Sequence, residues 1–530
     1  MRMTDRELLS SAARTLADRA LDAARALTAN GATTDEHQVV VDRVAYAATE
    51  ARVIEDLARA PAELAELAFV AAAELAASIP HRLAPIAPAL GLSTDQLKYD
   101  PAAAAAIATG LAPAAVETVG AAAIADLGRA QWPLDEVLEE VRANVRAFAD
   151  REVSPHAERI HHHDELVPEH FISEMSKLGY FGLSIPEVYG GHELGNLAMI
   201  LTTEELSRGS LAAAGSLITR PEILAKALLA GGTEAQKQTW LPKLATGEIM
   251  AAISVTEPNV GSDVASVSCK AERAEGGWTI TGAKAWCTFA GRADVIALLA
   301  RTGPDAGARG LSLFIVDKPR FLGHEIEASQ PGGGTLSGKA DRTPGYRGMH
   351  SFTLAFDRWF VPESQLVGEA AGVGRGFALQ MTGFAAGRLQ TGGRACGLTQ
   401  AAIDHTTRYV SERKQFGRAI GEYGLTRYHV GRMVSRLAAA RAITYAAAIA
   451  MDADERGAAP LAAMAKLFAC DVAVEVTQLG QLLHGGWGYA EEYPISRCVA
   501  DAQVLPIFEG VKPILALKVV GRSLLARATV

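Results

Sequence analysis

The spacing of apolar positions along this 530-residue chain changes period twice. From Leu134 to Phe148 apolar residues recur near i, i+3, i+4 and i+7, which predicts an amphipathic helix. Helical spacing persists to about Met250, interrupted by Leu183–Gly191, whose Pro and Gly read as a loop. From about 251 to 368 the pattern becomes β. Trp278–Thr281, Val295–Ala300 and Leu311–Val316 are β-rich runs bounded by Gly and Pro. After Gly374 long helices return, with Met433–Met451 and Leu461–Leu483 Ala-rich at a period near 3.6, as in a helical bundle.

Residues 1 to about 130 add a second helical region. Val53, Leu57, Leu64, Leu67 and Phe69 lie at roughly helical spacing around a break at Pro61, and Pro and Gly near 80–92 and 110–113 cut it further. The Ala102–Ala106 run reads as a packed helix. The expectation is an α+β multidomain chain: an N-terminal helical extension (1–130), a helical domain (131–250), a middle β domain (251–368) and a C-terminal helical bundle (369–530). The extension is expected to pack on the core or on a neighbouring subunit.

Composition narrows the function classes. The hydrophobic fraction of 49% suffices for large cores, yet no apolar run reaches the roughly 20 residues of a membrane span. Met1–Glu7 lacks the apolar region of a signal peptide. A net charge of −9 argues against nucleic acid as a partner. Five cysteines without C-x-x-C spacing read as reduced thiols, so a cytoplasmic setting is expected.

Candidate chemistry begins with Glu509, the one carboxylate in Val504–Val511, flanked by apolar residues. Desolvation there would hold it nearer neutral pH and suit it to act as a base. The bland alternative is a surface glutamate before a helix starting near Lys512-Pro513. Upstream lie Ser254-Val-Thr-Glu-Pro-Asn-Val-Gly-Ser-Asp263 and Thr281-Gly-Ala-Lys-Ala-Trp-Cys-Thr288. Downstream are Arg413-Lys-Gln-Phe-Gly417, His484-Gly-Gly-Trp-Gly-Tyr489 and Phe508-Glu-Gly510. In this order and spacing, the five segments over residues 135–525 resemble the acyl-CoA dehydrogenase family.

That resemblance implies FAD-dependent α,β-dehydrogenation of an acyl-CoA thioester. Glu509 matches the base that removes the α-proton, and Gly510 lets the backbone approach the thioester. Thr256, Gly261, Ser262, Trp286 and Thr288 match flavin and pyrophosphate contacts. Arg413, Gln415 and Phe416 match a segment reaching the FAD of a neighbouring subunit, and Gly485 and Gly486 match a glycine pair near the dinucleotide. A homodimer or homotetramer and an electron-transferring flavoprotein as electron acceptor follow by the same resemblance. A minority of the family carries the base on the helix reading Phe384–Arg388, but the matching position here is Gly387.

Two positions depart from the pattern. Leu482 stands where the family has Gln, with Gln481 one residue early, and Val511-Lys-Pro513 replaces Thr-x-Glu/Gln. On the substrate side, the resemblance places the bottom of the acyl pocket on Ser216–Leu224, so Arg220 and Thr219, with Arg388, are the candidate binding residues; the alternative for Arg220 is a helix start pointing to solvent. An arginine in the acyl pocket would favour a chain ending in carboxylate. With the long extension and the insertion Pro331–Gly338, the chain most resembles the members of the family that act on a short branched dicarboxylyl thioester, which implies (2S)-methylsuccinyl-CoA oxidised to mesaconyl-CoA. A monocarboxylic acyl-CoA dehydrogenase, an oxygen-using oxidase and a non-catalytic flavoprotein are the alternatives. His156, His161–His163 and His170 lack the ligand spacing of a catalytic metal site, and no metal is expected. Gly372–Gly376 reads as a connecting turn.

Overall fold

A computed structural model describes residues 3–304 and 307–526. The first two residues of the N-terminal reading and the last four of the C-terminal segment therefore lie outside it. In chain order come α1 (Asp5–Leu27), α2 (Gln38–Ala58), α3 (Ala65–Leu83), α4 (Pro101–Gly110), α5 (Pro113–Ala125), α6 (Glu136–Phe148), α7 (Ser154–His163), α8 (Glu169–Lys177), α9 (Gly195–Gly209), α10 (Thr219–Gly231) and α11 (Glu234–Thr246). Strands follow: β1 (Ala251–Ser254), β2 (Lys270–Ala274), β3 (Gly277–Thr288), β4 (Val295–Arg301), β5 (Leu311–Asp317), β6 (Glu325–Ser329), β7 (Thr335–Ala340) and β8 (Ser351–Pro362). The remainder is α12 (Glu369–Gly372), α13 (Gly376–Glu412), the short strands β9 (Lys414–Gln415) and β10 (Arg418–Ala419), α14 (Gly424–Ala453), α15 (Ala459–His484), α16 (Ile495–Ala502), α17 (Lys512–Ile514) and α18 (Arg522–Leu525).

The chain divides into two compact units, one of Met1–Glu139 with Thr391–Val530 and one of Glu140–Gln390. In the second, the strand order is β1-β4-β2-β3-β8-β7-β6, with β5 also paired to β4. Pairing is antiparallel except at β1–β4 and at the single β2–β4 partnership. Helices α10 and α11 cover the sheet: Leu224, Leu228, Leu241 and Leu244 pack with Ala251, Val295, Ala297, Leu313 and Ile315 in one buried cluster. Such burial supplies about 25 cal/mol per Å² of apolar surface.

The first unit joins the N-terminal extension to the C-terminal helices. Helices α5 and α14 meet backbone to backbone, since a Cβ on Gly120 would fall 1.8 Å from the Arg427 carbonyl oxygen and one on Gly431 2.1 Å from that of Val116. Arg432 and Arg436 of α14 both reach Glu74 of α3, at 2.7 and 3.1 Å. Helix α3 runs through Pro80, where the sequence suggests a cut. Proline cannot supply the N–H that the Ala76 carbonyl needs, and the Tyr99 hydroxyl donates to that carbonyl instead, at 2.8 Å. No single helix among the described residues is long and apolar enough to cross a membrane. The five cysteines are free and buried.

Candidate active site

The loop leaving β1 is fixed by a buried ion pair. Glu257 accepts from the backbone N–H groups of Ser268 and Cys269, from the Ser268 hydroxyl and, at 3.1 Å, from Lys284 Nζ on β3. Lys284 is fully buried and donates also to the Val255 carbonyl. Burial pushes the Glu257 carboxyl up, but the Lys284 charge and these hydrogen bonds outweigh it and hold the group below its ordinary value. The amide of Ala285 donates to the Thr256 carbonyl at 2.9 Å, joining the loop to the next part of β3.

Next to that junction β3 bulges. Lys284 pairs with Leu354 and Cys287 with Phe352, so the β3 side carries one residue more. Trp286, in this bulge, adopts a left-handed φ of 57° and is 58% exposed. A bulge re-aims a side chain at a strand edge, and a large indole left in water has apolar surface to give to a ligand or partner. Thr288 closes the strand, its hydroxyl 3.0 Å from that of Ser351. Gly261 and Ser262 are exposed. A Cβ on Gly261 would meet only the Thr256 methyl, at 4.0 Å.

Thr219 and Arg220 open α10 and are buried, Arg220 being 5% exposed. Arg220, at the start of this helix, therefore does not point to solvent. Its Nη1 and the Thr219 hydroxyl have no hydrogen-bond partner among the described residues. The guanidinium is close enough to Cys287, neighbour of Trp286 and Thr288, for its charge to act on that thiol, which burial nonetheless pushes up to about 12. Arg388 lies half-buried on α13, one residue after Gly387.

In the other unit Glu509 sits in a tight turn. Its φ is 53° and that of Gly510 is 106°, and the Lys512 amide closes the turn on the Pro506 carbonyl at 2.9 Å. Lys466 of α15 donates to the Gly510 carbonyl at 2.6 Å, and the Arg394 guanidinium lies 4.5 Å over the Phe508 ring. The apolar flanks do not enclose Glu509: it is half-buried and Ile507 is 59% exposed.

Arg413, Gln415 and Phe416 belong to an exposed hairpin of β9 and β10. Phe416 and Gly417 both have positive φ, the mark of a two-residue hairpin turn, and Phe416 is 95% exposed. Gly485 and Gly486 follow α15 in open space, and a Cβ on either would meet nothing within 4 Å. Leu482 is exposed, while the neighbouring Gln481 amide is committed to the Gly488 carbonyl at 3.0 Å.

Away from these segments, Asp164, His324 and His350 bring possible ligand atoms within 4.8 Å of one another. Arg347 Nε lies 3.5 Å from the same Asp164 oxygen that His350 faces, so that carboxylate already has a cation beside it. His161–His163 end α7.

Models of the acyl-CoA dehydrogenase N-terminal, middle and C-terminal domains match residues 135–248, 252–359 and 374–525. The chain belongs to the acyl-CoA dehydrogenase family. The (2S)-methylsuccinyl-CoA dehydrogenase of Cereibacter sphaeroides is 41% identical over 393 residues, covering 74% of this chain and 70% of that protein. A solved glutaryl-coenzyme A dehydrogenase–glutaryl-CoA complex is 30% identical, with a TM-score of 0.67 over 73% of this chain and 94% of that one. A glutaryl-CoA dehydrogenase from Mycobacterium smegmatis in complex with FADH2 shares the fold at 23% identity, with a TM-score of 0.64 over 74% and 95% of the two chains.

This dehydrogenase is an oxidoreductase, and FAD is its cofactor. Its residues fit that group. In the sheet-containing unit the indole of Trp286 offers an exposed apolar face and Gly261 leaves open backbone where a Cβ would otherwise stand; in the other unit Gly485 and Gly486 do the same. Glu257, Lys284, Lys466 and Lys512 are features that the sequence reading did not use, although the first two fall inside its motifs.

Proposed function

We propose that the enzyme oxidises a short branched acyl-CoA ending in carboxylate, converting (2S)-methylsuccinyl-CoA to mesaconyl-CoA. The observation that carries this reading is the buried Arg220 guanidinium, whose Nη1, like the hydroxyl of the adjacent Thr219, has no hydrogen-bond partner among the described residues. A buried guanidinium nitrogen left without a hydrogen-bond partner is costly, and a substrate carboxylate would meet it in a charge-assisted pair. The 41% identical relative named a methylsuccinyl-CoA dehydrogenase supports the same substrate. Arg388 is assigned to the substrate on the resemblance alone.

Glu509 is assigned as the base that takes the α-proton. Its backbone N–H is assigned to polarise the thioester carbonyl, where a donor aimed at developing negative charge is worth several kcal/mol (about 2.7–4 for one oxyanion donor). Gly510, at a φ of 106°, leaves the substrate side of the turn free of a Cβ. FAD, when bound, supplies the acceptor for the β-hydrogen at its N5. Thr256, Thr288 and Trp286 are assigned to orient its ring, and Gly261, Ser262, Gly485 and Gly486 to its diphosphate region. Arg413, Gln415 and Phe416 are assigned to the cofactor of a second copy, which the 95% exposure of Phe416 supports. The enzyme is then a homodimer or homotetramer, re-oxidised by an electron-transferring flavoprotein.

Comparing kcat/KM for (2S)-methylsuccinyl-CoA, butyryl-CoA and isovaleryl-CoA tests the substrate. Preference for the first is expected; better turnover of butyryl-CoA would sink the dicarboxylyl assignment.

A further inference from the structure

The N-terminal extension touches the turn that carries Glu509. Tyr46 of α2 is 6% exposed, and its hydroxyl donates to Asp471 Oδ2 on α15 at 2.7 Å. Lys512 Nζ donates to both oxygens of the same carboxylate, at 2.8 and 2.6 Å. The Lys512 ammonium also lies 5.0 Å from the centroid of the Tyr46 ring, with the Arg82 guanidinium 4.7 Å from it. Arg82 is held by Glu50 of α2, through hydrogen bonds of 3.0 and 2.5 Å. The chain of contacts therefore runs Glu50–Arg82–Tyr46–Asp471–Lys512, from the extension into the turn.

Lys512 is where that turn closes, its amide bonded to the Pro506 carbonyl. Three residues earlier, Glu509 occupies a left-handed conformation that a residue with a side chain holds only when its surroundings impose it. Lys466, four residues before Cys470 and five before Asp471 on α15, fixes the Gly510 carbonyl. Helix α15 thus holds the turn at both ends of its C-terminal half, and Tyr46 fixes the carboxylate that makes the second hold. Burial and the Asp471 charge raise the Tyr46 phenol far above its ordinary value, so it remains a donor throughout the working pH range.

We propose that the N-terminal extension is a positioning element of the active site, in which Tyr46, through Asp471 and Lys512, sets the turn that presents Glu509 and Gly510. This rests on the assignment of Glu509 as the base. It gives Val511-Lys512-Pro513 a use: the turn is tied from Lys512 to the extension. Tyr46, Asp471 and Lys512 act on Glu509 through the turn and are assigned as positioning residues.

The test uses the full-length FAD-loaded enzyme and the variants Tyr46→Phe, Lys512→Met, Lys512→Arg, the Tyr46→Phe/Lys512→Met double variant and Glu509→Gln. Misplacing a reacting group by about 1 Å can cost about 10²-fold in rate. We expect kcat for Tyr46→Phe and Lys512→Met to fall by about tenfold, with KM, flavin content and Tm close to those of the parent. The double variant should be no slower than Lys512→Met alone, since both break one chain of contacts. Lys512→Arg, which keeps a donor for Asp471, should recover most of the rate. Parental kcat in both Tyr46→Phe and Lys512→Met, with Glu509→Gln inactive, would overturn the positioning role while leaving the base assignment standing. A fall in kcat matched by an equal loss of flavin or Tm would also overturn it. Activity in Glu509→Gln would overturn the base assignment itself.

Discussion

Glu257 and Lys284 lie 3.1 Å apart in the interior of the sheet-containing unit, and both belong to segments that carry the family resemblance. The pair ties the loop bearing Thr256 and Gly261 to the strand bearing Trp286 and Thr288. Removing one partner of a buried pair typically costs about 3–5 kcal/mol, because the other charge is left unpaired. Lys284→Met should therefore lower Tm and flavin content strongly, whereas Lys284→Met/Glu257→Leu should recover a large part of the loss. Thermal unfolding and flavin absorbance of the two variants check this.

The same pair gives a pH dependence. The Glu257 carboxyl is held below its ordinary value in the fold. Its contribution to stability is fully present above the unfolded value and is lost as pH falls through the lower folded one. Stability of the parent should drop on acidification below about pH 4 more steeply than that of Glu257→Gln, whose residue 257 no longer titrates. Chemical denaturation at a series of pH values reads this difference.

Arg220→Met removes the buried guanidinium but keeps an apolar side chain. Hydrogen bonds to charged groups contribute about 1.5–3 kcal/mol each, so kcat/KM for (2S)-methylsuccinyl-CoA should fall by roughly 10–150-fold. Turnover of butyryl-CoA should hold or rise, because its chain ends in a methyl group. Equal losses on both thioesters would remove Arg220 from carboxylate recognition.

Gly431→Ala tests how the extension is attached. The added Cβ would meet the Val116 carbonyl oxygen at 2.1 Å, against rigid backbone of α5. Overpacking of this kind costs about 1–3 kcal/mol, and the variant should unfold at lower denaturant concentration with its m-value intact. Limited proteolysis should then cut first within residues 1–139.

Phe416→Ala and Arg413→Ala address the exposed hairpin. Neither side chain is buried within its own unit, so Tm of an isolated subunit should hardly change. Oligomer size by light scattering and flavin retention on gel filtration should both fall. Retention of both would detach this hairpin from the cofactor of a second copy.

Periodicity made the order of helical and β regions and several of their elements legible. The β-rich runs at Trp278, Val295 and Leu311 are β3, β4 and β5, and the Ala-rich C-terminal runs are α14 and α15. Pro80 misled because the group that satisfies the freed carbonyl, Tyr99, lies 23 positions on. The burial of Arg220 was not readable either: Thr219 to Ala225 are all buried, so no polar face distinguishes an inward arginine from an outward one. Nor could local spacing reveal Tyr46–Asp471, whose members are 425 positions apart, or Glu257–Lys284, 27 apart. Each residue alone reads as an ordinary polar side chain; only the fold makes them partners. The motifs name candidate residues by a known order and are silent on what holds those residues in place.

The most direct measurement is the flavin absorbance of the anaerobic enzyme on addition of (2S)-methylsuccinyl-CoA, in the parent and in Glu509→Gln. Rapid loss of the flavin band in the parent and none in Glu509→Gln is the expected result, and ties substrate, cofactor and base together. Bleaching of Glu509→Gln at the parental rate, or a parent that bleaches with butyryl-CoA but not with (2S)-methylsuccinyl-CoA, would contradict it.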